Sequence, residues 1–126
     1  MTRSKKLRVL REIYAELPTD VGCKGLCANA WSFVPIFPFE LEILEDAARR
    51  PLATEPLHKG RALGLGELGQ PCPLLVMGRC SAYEVRPIIC RVYGAAEGIR
   101  CPHGCTPATL LTDAEVYRKF ERVEAL

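Results

Sequence analysis

Seven cysteines in a chain of 126 residues constrain this fold more than any other feature of the sequence. Three lie in the stretch CPLLVMGRCSAYEVRPIICRVYG, which begins at Cys72 and ends at Gly94. The other four form two CxxxC pairs, GCKGLC (Cys23 and Cys27) and CPHGC (Cys101 and Cys105). A short chain seldom needs so many thiols for packing alone, although single cysteines often serve as small buried apolar residues.

The chemistry expected of these thiols depends on whether the compartment is reducing or oxidising. The first twenty residues contain no apolar run of secretory length, and the most apolar stretch, FVPIFPFELEIL, is interrupted by two prolines and two glutamates. We therefore expect a cytoplasmic protein with no membrane segment, in which thiols stay reduced. An odd number of cysteines in a reducing compartment points to metal binding rather than to disulfides.

Length and composition predict a single small domain over residues 1–126. The chain is 48% apolar and 25% charged with a net charge of +2, which disfavours nucleic acid as the main partner. Ten glycines and ten prolines predict many turns. We expect a mainly α fold of about three helices, with irregular Cys-rich loops over 72–105 arranged around a metal.

Three segments have the pattern of helices: residues 4–17, 38–50 and 112–124. The first has a basic outer face, which fits a helix docked on the core or, alternatively, a membrane-surface or nucleic-acid helix. Pro38 suits a first turn, and Thr112 with Glu115 predicts a capping box. Residues 51–71 are read as mostly irregular, with a short helix over 59–65 left open and His58 as a surface residue.

Both CxxxC pairs lie in turns rich in glycine or proline. Such turns present thiolates to a metal and direct backbone N–H groups at the sulfurs. Between Cys72 and Cys105 there are four arginines and two glutamates, a balance that would offset the negative charge of a four-thiolate centre. Tyr83, Arg86 and Arg91 belong to this segment.

The same segment resembles the signature of the YkgJ-type cysteine-cluster proteins, a family described as zinc- or iron-chelating. About thirty residues match closely, at Cys72, Cys80, Tyr83, Arg86, Pro87, Cys90, Arg91 and Cys101. The upstream match is looser, because Ala28 follows Cys27 where the family has a cysteine doublet, while Glu40 can fill the family's acidic position. The resemblance implies metal chelation and no particular reaction.

Two kinds of metal centre agree with the sequence, an iron–sulfur cluster and zinc. Cys-Pro steps at Cys72 and Cys101 are typical of ferredoxin-type ligation and favour a [4Fe–4S] cluster. The ligands we predict for it are Cys27, Cys72, Cys90 and Cys101, with Cys23, Cys80, Cys105 and His103 as further candidates. Seven cysteines plus His103 would equally supply one or two Zn²⁺ sites.

The remaining predictions concern the supporting residues and the function of the protein. Arg86 and Pro87 are read as structural supports of Cys90, with Glu40 as the partner of Arg86. We find no phosphate-binding glycine loop, no C-x-x-C and no Ser/His/Asp set, so we expect no self-contained catalysis. The favoured function is a metal-binding protein that senses, transfers electrons or folds around its metal. The alternative is a zinc-stabilised adaptor that docks on a larger protein complex.

Overall fold

The computed structural model describes residues 1–22, 34–57, 60–67, 69–77 and 79–126. Within these ranges the chain forms four α-helices and five short β-strands. The predicted mainly α fold is therefore wrong, and the architecture is mixed α/β. The chain divides into two compact units, Met1–Lys24 together with Cys90–Leu126, and Gly25–Ile89. No helix in the described ranges combines the length and apolar character needed to cross a membrane.

The first unit contains helix α1 (Arg3–Ala15), which begins where Thr2 accepts a hydrogen bond from the backbone N–H of Lys5. Its apolar stripe buries Leu10 and Ile13. The helix ends two residues before the predicted position 17. There the N–H groups of the next two residues turn to carbonyls three positions back, each at 3.1 Å. This tightening is the usual way in which a last helical turn satisfies its free carbonyls.

Helix α4 (Asp113–Glu124) packs on α1 in the same unit. The sequence predicts its capping box, and the structure has it: Thr112 Oγ1 accepts from the N–H of Glu115, and the Glu115 carboxylate accepts from the N–H of Thr112, both at 3.2 Å. Glu16 at the end of α1 accepts from Lys119 at 2.9 Å and Arg122 at 2.7 Å on α4. The two terminal helices are thus held by apolar packing and by an exposed ion-pair cluster.

The second unit is built on a three-stranded antiparallel sheet, β1 (Val34–Ile36), β2 (Thr54–Pro56) and β3 (Leu63–Leu65), in the order β1-β3-β2. The sequence did not predict these strands. Each has only three residues, too few for an alternating pattern to emerge, and two of them contain proline. Pro35 and Pro56 are tolerated because β1 and β2 are the edge strands.

Helix α2 (Pro38–Ala48) follows β1, with Pro38 as its first residue, and stops two residues before the predicted position 50 because Arg49 turns left-handed (φ 56°). Further along lie a hairpin of β4 (Leu75–Val76) and β5 (Arg79–Cys80) and a 3₁₀ turn over Tyr83–Val85. Helix α3 (Ile88–Val92) begins in this unit, and its last three residues belong to the first unit. The core of the second unit is apolar: Val34, Ile36, Phe39, Leu44, Leu52, Leu65, Leu74, Ala82 and Ile88.

Candidate metal centre

Cys72 opens a tight turn in the second unit. The N–H of Leu75 donates to the carbonyl of Cys72 at 3.0 Å, and the N–H of Leu74 donates to the Cys72 thiol. Burial raises the pKa of this half-buried thiol, the Leu74 N–H opposes that rise, and the nearby Cys80 adds to it. Burial therefore favours the protonated thiol, while one backbone N–H already points at the sulfur.

Three features restrict the conformation of this turn at Pro73. Its ring restricts its own backbone, and its carbonyl accepts from the Arg50 guanidinium at 2.9 Å. Gly66 lies against the ring: a Cβ at this position would come 2.9 Å from Pro73 Cδ, and its φ of +87° also favours glycine. The backbone next to Cys72 is thus positioned by the contacts of Pro73 with Arg50 and Gly66.

Cys80 is brought to Cys72 by the hairpin. Strands β4 and β5 pair antiparallel with Leu75 opposite Cys80. Beyond that pair, the N–H and hydroxyl of Ser81 both donate to the carbonyl of Leu74, at 2.8 and 2.6 Å. The hairpin therefore holds the half-buried Cys80 beside the turn that carries Cys72.

Cys101 opens a turn of the same kind in the first unit. The N–H of His103 donates to Cys101 Sγ at 3.4 Å, and the N–H of Gly104 donates to the Cys101 carbonyl at 3.2 Å. His103 is exposed, and its backbone N–H makes this contact. Each Cys-Pro step thus directs the N–H two residues later at its sulfur and closes the turn with the N–H three residues later.

Gly94 lies against the Cys101 turn. Its φ is +80°, and a Cβ at this position would come 3.1 Å from Val21 Cγ1 and 3.4 Å from Cys101 Cβ. The carbonyl of Cys105 lies 3.8 Å from the same point, and Cys105 is buried. The loop of the second CxxxC pair therefore packs on a position where a side chain would be both strained and crowded. No pattern in the sequence distinguishes Gly94 from the other glycines.

Glu40 is the one charged residue buried within the described ranges, at 1% exposure. Its carboxylate accepts from the N–H of Ile88 at 2.6 Å and from the N–H of Phe37 at 3.2 Å. It therefore ties the start of α2 to the start of α3, the helix that carries Cys90. The sequence did not predict the Ile88 contact, and the predicted pair of Glu40 with Arg86 stays a prediction.

The other predicted supporting residues make local contacts. Arg86 donates to the carbonyl of Tyr83 at 3.0 Å and stacks over its ring at 4.1 Å, while Pro87 is buried just before α3. In the first unit Arg91 stacks over the ring of Tyr14 at 3.9 Å, which attaches the residue after Cys90 to α1. Both stacking contacts are made with tyrosine rings.

The described residues gather the predicted ligands only in part. Cys72 and Cys80 lie together in the second unit, and Cys90, Cys101 and Cys105 belong to the first. Among the residues that the structure describes, no group of three or more His, Cys, Asp or Glu is placed to hold a metal ion. The predicted ligand Cys27 and the candidate Cys23 lie outside the described residues, as does His58.

The two Cys-Pro turns fit thiolate ligation, because each sulfur is half-buried and already accepts a backbone hydrogen bond. Comparison of the chain with protein-family models, with curated proteins and with solved structures gave no match. The resemblance to the YkgJ-type family stays a prediction from the residues that carry it.

Proposed function

We propose that this protein binds a metal centre through cysteine thiolates and that the centre is a [4Fe–4S] cluster. The observation that carries the proposal is the turn that occurs at both Cys-Pro steps, with a backbone N–H directed at the sulfur of Cys72 and of Cys101. N–H···S bonds of this type stabilise metal-bound thiolates and tune the reduction potential of iron–sulfur clusters. When bound, such a cluster supplies one-electron chemistry.

The chain's own residues account for the rest of the proposed role. Pro73 and Gly104 shape the turns, the two N–H groups offset thiolate charge, and partial burial limits contact with water. Burial raises the pKa of Cys72 in the metal-free chain, so a metal ion has to displace a proton there, as metals do at thiol ligands. Sensing, electron transfer and metal-dependent folding are all compatible with this arrangement. We place the protein in the cytoplasm, where thiols stay reduced.

Zinc is the second candidate, with the protein as an adaptor. One observation favours it: the tip of the β4–β5 hairpin exposes apolar side chains, with Val76 57% and Met77 97% exposed. An exposed apolar tip next to a thiol fits a contact point for a protein partner. On this account the metal is a structural staple.

The test is metal and acid-labile sulfide analysis on protein purified without oxygen, for the wild type and for Cys72→Ser and Cys101→Ser. The proposal expects iron and sulfide in the wild type and loss of most of both in each variant. Met77→Ala, at the exposed tip of the same hairpin, is the matched control and should keep its metal. Zinc without sulfide would support the adaptor, and full metal content in both serine variants would contradict ligation by these turns.

A further inference from the structure

Cys72 and Cys80 form a pair of thiols within the second unit. Leu75 links them, because its N–H donates to the Cys72 carbonyl and its Cα is paired with that of Cys80. The two bonds from Ser81 to the Leu74 carbonyl close the structure on the far side of that pair. Both residues carry free thiols, and both are half-buried, so that small reagents can reach them.

The hairpin places Cys80 near the Cys72 thiol. The Cα of Cys80 is paired with that of Leu75, and the N–H of Leu75 donates to the Cys72 carbonyl at 3.0 Å, so the hairpin and the Cys72 turn share this residue. Cys80 also acts electrostatically on the Cys72 thiol. A disulfide needs Cα atoms about 4.4–6.8 Å apart. Joining the sulfurs therefore requires the turn and the hairpin to bring the two Cα atoms to this spacing, and the hairpin tip is solvent-exposed at Met77.

We propose that Cys72 and Cys80 are an oxidation-sensitive dithiol, which a peroxide converts to an intramolecular disulfide. One thiol reduces hydrogen peroxide, yielding a sulfenic acid and water. The second sulfur displaces the hydroxyl group of the sulfenic acid, so that the S–S bond forms and a second water leaves. Overall, two thiols lose two hydrogen atoms and one peroxide becomes two waters. This site goes beyond the metal-binding proposal, since it belongs to the metal-free chain.

The experiment maps disulfides in the full chain after metal has been removed with a chelator under reducing conditions and far-UV circular dichroism has verified its helices. Hydrogen peroxide is added, remaining thiols are blocked with N-ethylmaleimide in acid, and the protein is cut after Glu, Lys and Arg. Cleavage at Glu67, Arg79, Glu84 and Arg91 places Cys72, Cys80 and Cys90 in three separate peptides. Mass spectrometry then distinguishes the links among these three cysteines.

We expect the peptide of Cys72 joined to the peptide of Cys80 as the dominant product, with loss of two hydrogen atoms. Cys72→Ser and Cys80→Ser should abolish it, whereas Cys90→Ser, the matched control, should retain it. Links scattered over several cysteines, or both thiols still blocked by maleimide after oxidation, would overturn the proposal. The wild-type map needs no variant, and it is independent of whether purified protein contains iron, zinc or neither.

Discussion

Replacing the buried carboxylate of Glu40 should destabilise the second unit by an amount that its two hydrogen bonds predict. Glu40→Gln keeps the size of the side chain, so no cavity opens. One acceptor oxygen becomes an NH₂ group, which leaves the N–H of Ile88 or of Phe37 facing a donor. Hydrogen bonds to charged groups contribute about 1.5–3 kcal/mol, and an unsatisfied buried group costs about 1–3 kcal/mol.

We therefore expect Glu40→Gln to lower the free energy of unfolding by about 1.5–3 kcal/mol. Urea denaturation followed by far-UV circular dichroism measures it, and for a small protein the midpoint should fall by roughly 1 M. The matched control is Glu42→Gln on the exposed side of the same helix, which should change stability by no more than about 0.5 kcal/mol. If the two variants lose the same amount, the Glu40 carboxylate does not hold α3 as described.

Three further predictions test other parts of the structure. Gly94→Ala should destabilise the protein more than Gly69→Ala in thermal melts, because both have positive φ but only Gly94 is crowded, by Val21 among others; equal losses would refute that crowding. The Glu16 pKa is lowered from 4.5 to about 2 by its Arg and Lys partners, so its stabilising effect should be complete above pH 4.5 and fade between 4.5 and about 2. Solvent exposure limits this effect to below about 1 kcal/mol, and a stability difference between wild type and Glu16→Gln that persists below pH 2 would be inconsistent with it. Removing bound metal should lower the melting temperature, since binding energy contributes to folding; an unchanged melt would count against a structural metal.

The sequence predicted the long helices well because their signals are local. Pro38 marks the start of α2, and Thr112 with Glu115 marks the start of α4, within a few residues of each boundary. The ends were harder, because Arg49 adopts a left-handed conformation that its residue type does not favour. Capping residues mark the start of a helix in the sequence, whereas the ends of α1 and α2 depend on the conformation of the residues that follow them.

The strands could not be predicted for a physical reason. Leu63–Leu65 becomes a central strand only because β1 pairs with one side of it from a distant part of the chain, while β2 pairs with the other side across a short connection. Gly64 at its centre, together with Pro35 and Pro56 opposite or beside it, reads locally as loop. Strand pairing depends on neighbouring segments of the fold, and it leaves little trace in strands of three residues.

The candidate site likewise has features that the local sequence predicts and features that depend on the fold. Turns that direct an N–H at a cysteine sulfur follow from the local sequence, and the structure has them at Cys72 and Cys101. The contacts of Glu40 with Ile88 and of Gly94 with Cys101 depend on tertiary packing. Isolated buried Glu and Gly residues carry no local signal for such roles, so only the fold could assign them.

The [4Fe–4S] proposal is decided by the visible absorption spectrum of protein purified without oxygen, with iron, zinc and acid-labile sulfide determined on the same sample. We predict a brown protein with broad visible absorption, about four irons and four sulfides per chain, and bleaching on reduction. A colourless protein with zinc and no sulfide would contradict the cluster and leave the zinc-stabilised adaptor. A colourless protein free of both metals would contradict metal binding itself.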